Sequence, residues 1–399
     1  MILRSAAVLT VAIGLRTLLA TLPALGGALV LPIDDVADIT LALAIVTPFF
    51  LASAMGIPQR VSTGDYGSGR YGQLHLARIM LAVAALPIVL AASLAFPMLA
   101  GWLVLGIFLT RFFEGQSEIS TAILTRHDKP HWIAVTHAVM VGLYLAALVH
   151  VSRMTHAKMI GLIVATVAIA FATMTVLHLA ARRYHDRTPA KGRMISRSLF
   201  EVRKGWSLGI ADGSLSLVSY LPRYLLSAIG LHIAQGAFAI AQLLIRQFTI
   251  PTVGLLFARG GALLPGKGSD RVTLDRFLLL ALGAASVIGM LFIAAFFVVR
   301  EMPVYEDFIL ATLTSSQMLL SILVGVVFLL RFATWLLATR FLKGAQQLRI
   351  ALWSGLCAVV TAALILAVPR FEVALATDIV ANLVIVTLAR RAVLRTSAP

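Results

Sequence analysis

Long apolar segments recur along almost the whole 399-residue chain, and they decide what it can fold into. An α-helix needs about 20 apolar residues to cross the hydrocarbon core of a bilayer. The mean hydropathy of +0.96 and the hydrophobic share of 60% exclude a water-soluble globule, a disordered chain and a secreted disulfide scaffold. The sequence predicts an all-α polytopic membrane protein of the transporter type, with about twelve spans at 5–30, 39–56, 76–96, 102–124, 132–151, 159–180, 205–227, 234–257, 277–299, 317–339, 350–368 and 373–392.

The formal charge of +16 is distributed as membrane topology requires, and it does not indicate a nucleic-acid partner. Basic residues concentrate in alternate connections, which is how a membrane protein sets its orientation. We therefore predict a multi-pass protein with both termini in the cytoplasm. Outside the spans, the opposite side of the membrane carries only four of the 33 basic residues, which are Arg153, Lys158, Arg300 and Arg370.

The sequence offers no chemistry that is typical of an enzyme. Cys357 is the only cysteine, so neither a disulfide nor a cysteine-based metal site can form within the chain. No nucleophile–base constellation stands out, and we predict no catalytic residues, no metal and no cofactor. The first span begins close to Met1 without a small-residue cleavage site, so we expect a retained helix and not a cleaved signal peptide.

One break in hydrophobicity divides the chain. Residues 182–204 carry eight Lys and Arg in 23 positions and follow the sixth predicted span. We predict an N-terminal six-helix lobe (1–181), a basic cytoplasmic linker (182–204) and a C-terminal six-helix lobe (205–399). Segment 15–20 resembles 222–227, and 107–112 resembles 327–332. Each match pairs a span with the span six later and aligns an arginine, which indicates an internal repeat.

Five arginines lie in the interior of predicted spans, where a charge at the bilayer centre costs roughly 2.5–3.5 kcal/mol. Arg16 and Arg246 fall near mid-span with no acidic residue one turn away, so we predict that both are unpaired and functional. Arg111 is three residues from Glu114, which predicts either an intrahelical ion pair for assembly or a charged cavity wall. Arg223 and Arg331 lie nearer the ends of their spans, where a long side chain can also reach the membrane–water interface.

Spans four, seven and eight each carry one polar stripe, because the polar residues fall within an arc of about 60° at ~100° per residue. The stripes predict a water-filled lumen, and arginine's planar fork suits a phosphate or carboxylate ligand. The stripes are Arg111, Glu114, Glu118 and Thr121; Asp212, Ser216, Ser219 and Arg223; and Gln235, Gln242, Arg246 and Thr249. The predicted substrate-binding residues are Arg16, Arg246, Arg223, Arg111 and Gln242.

Intramembrane carboxylates are the candidates for ion coupling, since each can carry a proton or a sodium ion. In span twelve, Asp378 lies four residues before Asn382, and this pair either binds a cation or hydrogen-bonds to a neighbouring helix. The predicted ion-coupling residues are Glu114, Glu118, Asp212 and Asp378.

Two segments resemble a known family. Residues 220–226 (YLPRYLL), followed by 234–239 (AQGAFA), resemble the start of the second half of polysaccharide flippases. Residues 114–119 (EGQSEI), leading to 126–129 (RHDK), are similar to that family's fourth helix and its cytoplasmic exit. These flippases belong to the multidrug/oligosaccharidyl-lipid/polysaccharide (MOP) exporter superfamily, which also holds the multidrug and toxin extruders and the lipid II flippases.

The resemblance implies two six-helix lobes that open alternately to each side of a bacterial inner membrane. It also implies a polyprenyl-pyrophosphate-linked oligosaccharide as cargo, moved to the outer leaflet for surface polysaccharide biosynthesis. Arg16 and Arg246 correspond to helices on which the lipid II branch carries arginines, which implies pyrophosphate contacts at both. The implied partners are the lipid-linked oligosaccharide, a proton or sodium ion, membrane lipids and polysaccharide assembly proteins.

Two other functions remain open at this point. A cation-coupled multidrug extruder of the same fold would have an apolar, acidic cavity. A membrane-embedded glycan polymerase or ligase would have a large outer loop with catalytic residues, and none is visible. The sequence does not determine the sugar composition of the cargo, the coupling ion or the oligomeric state.

Overall fold

The computed structural model describes residues 2–63, 71–184, 194–260, 309–341 and 344–396, with isolated positions between 283 and 291. All regular structure in these ranges is helical, which confirms the all-α prediction. A 3₁₀ turn occupies Ile309–Thr312. The α-helices are α1 (Ile2–Val30), α2 (Ile33–Ser53), α3 (Ile57–Thr63), α4 (Tyr71–Ser93), α5 (Gly101–Arg126), α6 (Pro130–Ser152), α7 (Lys158–Ala181), α8 (Met194–Ala228), α9 (His232–Gly260), α10 (Ser315–Phe341), α11 (Ala345–Ala367) and α12 (Phe371–Thr396).

Eight helices of the described chain are long and apolar enough to cross a membrane: α1, α2, α4, α6, α7, α10, α11 and α12. This confirms a polytopic membrane protein. Helix α5 is as long but carries Arg111, Glu114 and Glu118 in its interior. Because these charges cannot face lipid, α5 has to lie among other helices.

Every predicted span that falls within the described ranges corresponds to a helix, and span 277–299 lies outside them. The largest difference is at α8, which begins at Met194 and not near residue 205. The second half of the predicted linker is therefore helical and continuous with the span. Residues 194–204 contain neither proline nor glycine, so nothing in them interrupts a helix. The short helix α3 was not predicted.

The contacts group the chain into two compact units. The first unit comprises Met1–Pro23 and Ala42–Ser216, and the second comprises Ala24–Leu41 and Leu217–Pro399. Residues 24–41 therefore group with the second unit, whereas the predicted linker groups with the first. The six-plus-six repeat inferred from the sequence stays a prediction.

Within the first unit, close backbone packing holds α8 against the end of α2. Gly205, Gly209 and Gly213 are spaced four residues apart and share one helix face, as small residues do at tight helix contacts. A Cβ on Gly209 would lie 2.4 Å from the Met55 sulfur and 2.5 Å from the Ala52 carbonyl oxygen.

A buried ion pair holds the N-terminal segment of α8 that precedes the predicted span. Arg60 on α3 donates from Nη1 to Glu201 Oε2 at 2.8 Å, and from Nη2 to the Glu201 carbonyl oxygen at 2.9 Å. Glu201 is buried. Removing either partner would leave a desolvated charge, so this pair specifies where the segment packs.

We expect Gly209→Ala to lower stability, because the added methyl group overpacks the α2–α8 contact at a cost of about 1–3 kcal/mol. The matched control is Gly142→Ala on α6, where a Cβ meets nothing within 4 Å. Melting temperatures of the detergent-purified proteins measure the effect. Equal melting temperatures for the two variants would show that the α2–α8 contact is not tight.

Candidate functional site

The first unit contains a cavity of about 100 Å³. This volume holds a few water molecules or one small ionic group. Its walls come from α1, α5, α6 and α7, and the α5 wall carries charge. The lining residues are Arg16, Leu19, Ala20, Thr110, Arg111, Glu114, Ser117, Glu118, His137, Tyr144, Thr166, Ile169, Ala170 and Thr173.

One carboxylate joins two arginines at this cavity. Glu118 on α5 accepts a hydrogen bond at Oε1 from Arg16 of α1, and at Oε2 from Nη1 of Arg78 of α4 at 2.6 Å. The Arg78 side chain is 4% exposed, whereas that of Arg16 is 41% exposed and lines the cavity. The shared carboxylate therefore compensates a buried charge on one side and orients a cavity-facing charge on the other.

The prediction that Arg16 is unpaired is wrong. Its acidic partner lies 102 residues away in sequence, on a different helix. A search one turn along α1 cannot find such a partner, because only the packing of α1 against α5 brings the two side chains together.

Sequence reasoning also missed Arg78, which lies at the edge of the predicted span 76–96 and was not among the five arginines placed in span interiors. Helix α4 begins at Tyr71, five residues before the predicted span, so Arg78 lies about two turns inside the helix. Tyr71, Leu74 and Arg78 are all buried and follow the i, i+3, i+7 spacing of one helix face. This spacing is the sequence signal from which the burial of Arg78 could have been predicted.

Arg111 and Glu114 form an ion pair and also line the cavity, whereas their predicted roles in substrate binding and ion coupling stay predictions. Arg111 Nη1 donates to Glu114 Oε2 at 2.6 Å within α5, and both residues line the cavity. Glu114 and Glu118 thus face Arg16, Arg78 and Arg111. Three guanidinium groups against two carboxylates give this cluster one net positive charge. Thr121, the last member of the predicted α5 stripe, is not among the lining residues.

The part of the lining that α6 and α7 form is polar but uncharged. The Tyr144 hydroxyl lies 3.3 Å from Thr166 Oγ1, and His137 Nδ1 lies 2.7 Å from the Ile133 carbonyl oxygen. His137 and Tyr144 are seven residues apart on α6, as are Thr166 and Thr173 on α7. This spacing places each pair on one helix face, and it is the signal that our sequence reasoning overlooked.

Two predicted substrate-binding residues pair with each other in the second unit. Arg223 Nη2 donates to Gln242 Oε1 at 2.6 Å, and the Arg223 guanidinium lies 4.8 Å from the centre of the Tyr220 ring. Both Arg223 and Gln242 are buried. Arg331 is buried too, 5.0 Å from the centre of the Phe328 ring, so neither arginine snorkels to the interface.

The other predicted candidates are not among the described residues that line the cavity. Asp378 and Asn382 are buried in the second unit, where Asn382 Nδ2 donates to the Asp378 carbonyl oxygen at 2.8 Å. Asp212 lies on α8 and does not line the cavity. The side chains of Arg246 and Thr249 on α9 are outside what the structure describes. Within the described residues, no group of three or more His, Cys, Asp or Glu side chains could hold a metal ion.

We expect Glu118→Gln to destabilise the first unit, because the amide leaves the buried Arg78 guanidinium without its counter-charge. The cost should be about 2–4 kcal/mol, since the Arg16 side of the cluster is part-exposed. Glu372→Gln, which changes an exposed residue at the start of α12, is the control. Thermal unfolding measures both variants, and an unchanged melting temperature for Glu118→Gln would contradict the prediction.

Comparisons with known proteins identify the fold. No protein-family model matches the chain, and no curated protein matches it in sequence. A MATE transporter solved in complex with MaD5 is 14% identical with a TM-score of 0.63, over 98% of this chain and 96% of the other. An outward-facing multidrug-resistance MATE family transporter of the MOP superfamily is 14% identical with a TM-score of 0.61, over 99% and 95%.

A third similar structure is a MOP superfamily transporter from Pyrococcus furiosus, whose reverse binding-pocket polarity is described as suggesting a different function. It is 14% identical with a TM-score of 0.62, over 100% of this chain and 96% of the other. At such identity the likeness concerns the fold alone. The chain thus shares the fold of these solved transporters.

Proposed function

We propose that the protein is a transporter that moves a polyprenyl-pyrophosphate-linked oligosaccharide across a bacterial inner membrane for surface polysaccharide biosynthesis. The shared fold supports a transporter of the MOP superfamily. The observation that carries the cargo assignment is the cluster of Arg16, Arg78 and Arg111 around Glu114 and Glu118, with its one net positive charge at a membrane-embedded cavity.

Arg16 is the head-group contact in this proposal. Its guanidinium has five N–H donors, and Glu118 Oε1 holds it while its side chain stays 41% exposed. An arginine that is already oriented loses less conformational entropy when it binds a second anion. A phosphate oxygen entering the cavity therefore meets a preorganised donor.

The cavity volume of about 100 Å³ limits what it takes in. A single phosphate group is compatible with this space, whereas an oligosaccharide is not. In our proposal the sugars and the prenyl chain stay outside the cavity. Arg246 on α9 is proposed as the second phosphate contact.

The proposed transport mechanism is ion-coupled alternating access. Polysaccharide assembly proteins are proposed as further partners. A bound ion shifts the equilibrium between two conformations only by its difference in affinity for them. Glu114 and Glu118 are proposed to contribute to that difference, because any ion bound at either carboxylate competes with an arginine.

A multidrug extruder is the second candidate, favoured by the likeness to a multidrug-resistance MATE transporter and by the two cavity carboxylates. Organic cations are repelled by a net positive cluster, which weighs against it. The similar transporter from Pyrococcus furiosus is described by the reverse polarity of its binding pocket. We therefore use the charge of the pocket, and not the fold, to distinguish the two candidate functions.

Mass spectrometry of polyprenyl-linked glycans in bacterial cells depleted of the protein tests the proposal. We expect a complete lipid-linked oligosaccharide to accumulate in the cytoplasmic leaflet while the surface polymer is lost, and both to recover on complementation. Leaflet location separates a flippase defect from a polymerase defect. Unchanged lipid-linked pools with an intact surface polymer would refute the proposal, and drug-efflux assays would then test the extruder.

In the same cells, we expect Arg16→Ala to reduce surface polymer at least about tenfold, because one charged phosphate contact is worth roughly 1.5–3 kcal/mol. Arg16→Lys should retain part of the activity, since it keeps the charge but loses the bidentate fork. Arg246→Ala and Arg246→Lys should differ in the same way.

The control is Arg153→Ala, which changes an exposed arginine just after α6 and should leave the polymer unchanged. Full activity of Arg16→Ala, at matched protein levels in the membrane, would remove Arg16 from the proposed mechanism.

A further inference from the structure

We propose that Nε2 of His137 is a proton-binding site, and that the cavity takes up one proton there when an anionic phosphate group binds. This inference rests on the proposed function and deepens it by naming a group whose protonation accompanies head-group binding. It concerns a proton that binds together with the anion and is separate from the ion exchange proposed at Glu114 and Glu118.

The first step is that the cavity carboxylates are already compensated. Glu118 accepts hydrogen bonds from two arginines, and Glu114 accepts one from Arg111. Protonating either carboxylate would remove the counter-charge of a desolvated guanidinium, which is costly. Neither carboxylate is therefore a favourable proton acceptor while these pairs hold.

His137 is the lining residue whose ordinary titration range is near neutral pH. It is 2% exposed, and the hydrogen bond that the structure gives it goes to a backbone carbonyl. The other polar groups of its wall, such as Tyr144 and Thr166, have hydroxyls that do not titrate near neutrality.

The hydrogen bond to Ile133 determines which nitrogen takes the proton. A carbonyl oxygen can only accept, so the His137 nitrogen 2.7 Å away, Nδ1, carries a hydrogen and donates it. Neutral His137 therefore has its lone pair on Nε2. The bond lies within α6, one turn back along the helix, so it also restrains the orientation of the ring.

The charges around His137 oppose its protonation when the cavity is empty. Arg16 faces the cavity from α1, Arg111, Glu114 and Glu118 face it from α5, and Arg78 of α4 lies behind Glu118. Tyr144 on α6 and the α7 lining residues are uncharged. The cluster already has one net positive charge, so an imidazolium adds a like charge in a desolvated space.

A bound phosphate group reverses the sign of this interaction. Each phosphate of a pyrophosphate diester carries one negative charge. The phosphate in the cavity cancels the single excess positive charge and the second phosphate makes the site net negative, so the imidazolium becomes the favoured form. By thermodynamic reciprocity, protonated His137 must then strengthen anion binding by the same free energy. At neutral pH, anion binding is therefore accompanied by proton uptake of up to one per site.

Proton counting by titration calorimetry tests this on the full-length protein in nanodiscs. The probe is geranyl-pyrophosphoryl-N-acetylglucosamine, a pyrophosphate diester whose own charges do not titrate near neutral pH. Binding enthalpies in buffers of different ionisation enthalpy yield the protons taken up per molecule bound. We expect close to one proton for the wild type and for His131→Gln, an exposed control histidine on the same helix.

His137→Gln should bind the probe more weakly, without proton uptake and with an affinity independent of pH between 6 and 8. Binding without proton uptake in the wild type would overturn the inference and leave the proposed function standing. Equal proton uptake in His137→Gln would overturn it as well, because another group would then be the acceptor. No binding of the probe by the wild type would refute the head-group assignment and this inference together.

If His137→Gln does not fold, histidine-labelled wild-type protein provides an independent test. Nitrogen NMR distinguishes a neutral imidazole with a free Nε2 from an imidazolium. We expect one histidine to change from the first form to the second when the probe binds. Spectra in which no histidine changes form would overturn the inference.

Discussion

A desolvated charge needs a counter-charge, and this requirement organises the first unit. Arg78 is buried on α4, so Glu118 of α5 must lie against it, and the second carboxylate oxygen then holds Arg16 of α1. Three helices are tied by one acidic side chain. The Arg111–Glu114 pair adds a second compensated charge on the same face of α5. The polar wall of the cavity follows from these two ion-pair clusters.

The same arrangement determines what the cavity attracts. With three guanidinium groups against two carboxylates the excess is positive, and α6 and α7 supply neutral donors and acceptors to the same cavity. Structures that share this fold include a multidrug-resistance transporter and one described by its reversed pocket polarity. Because one fold can host different functions, the fold by itself does not give the function of this chain.

Sequence reasoning succeeded where an interaction is local to one helix. The spans were predicted because burying apolar residues in lipid requires a minimum length, and the α5 stripe because 3.6 residues per turn brings Arg111, Glu114 and Glu118 to one face. It failed where a boundary or a partner depends on other helices. Arg78 was missed at the edge of its predicted span because its acidic partner, Glu118, lies on another helix. Helix α8 extends back to Met194, where the Arg60–Glu201 pair holds its first turns.

The sequence by itself determined that this chain is a polytopic helical membrane protein with charges on the inner faces of particular helices, because hydropathy and helical periodicity are properties of contiguous residues. Only the tertiary structure decided how those charges pair. Arg16 meets Glu118 across 102 residues, and Arg223 meets Gln242. It also placed His137 in the wall of the charged cavity. The physical reason is that ion pairing and cavity shape depend on distances between helices, which spacing along one helix does not contain.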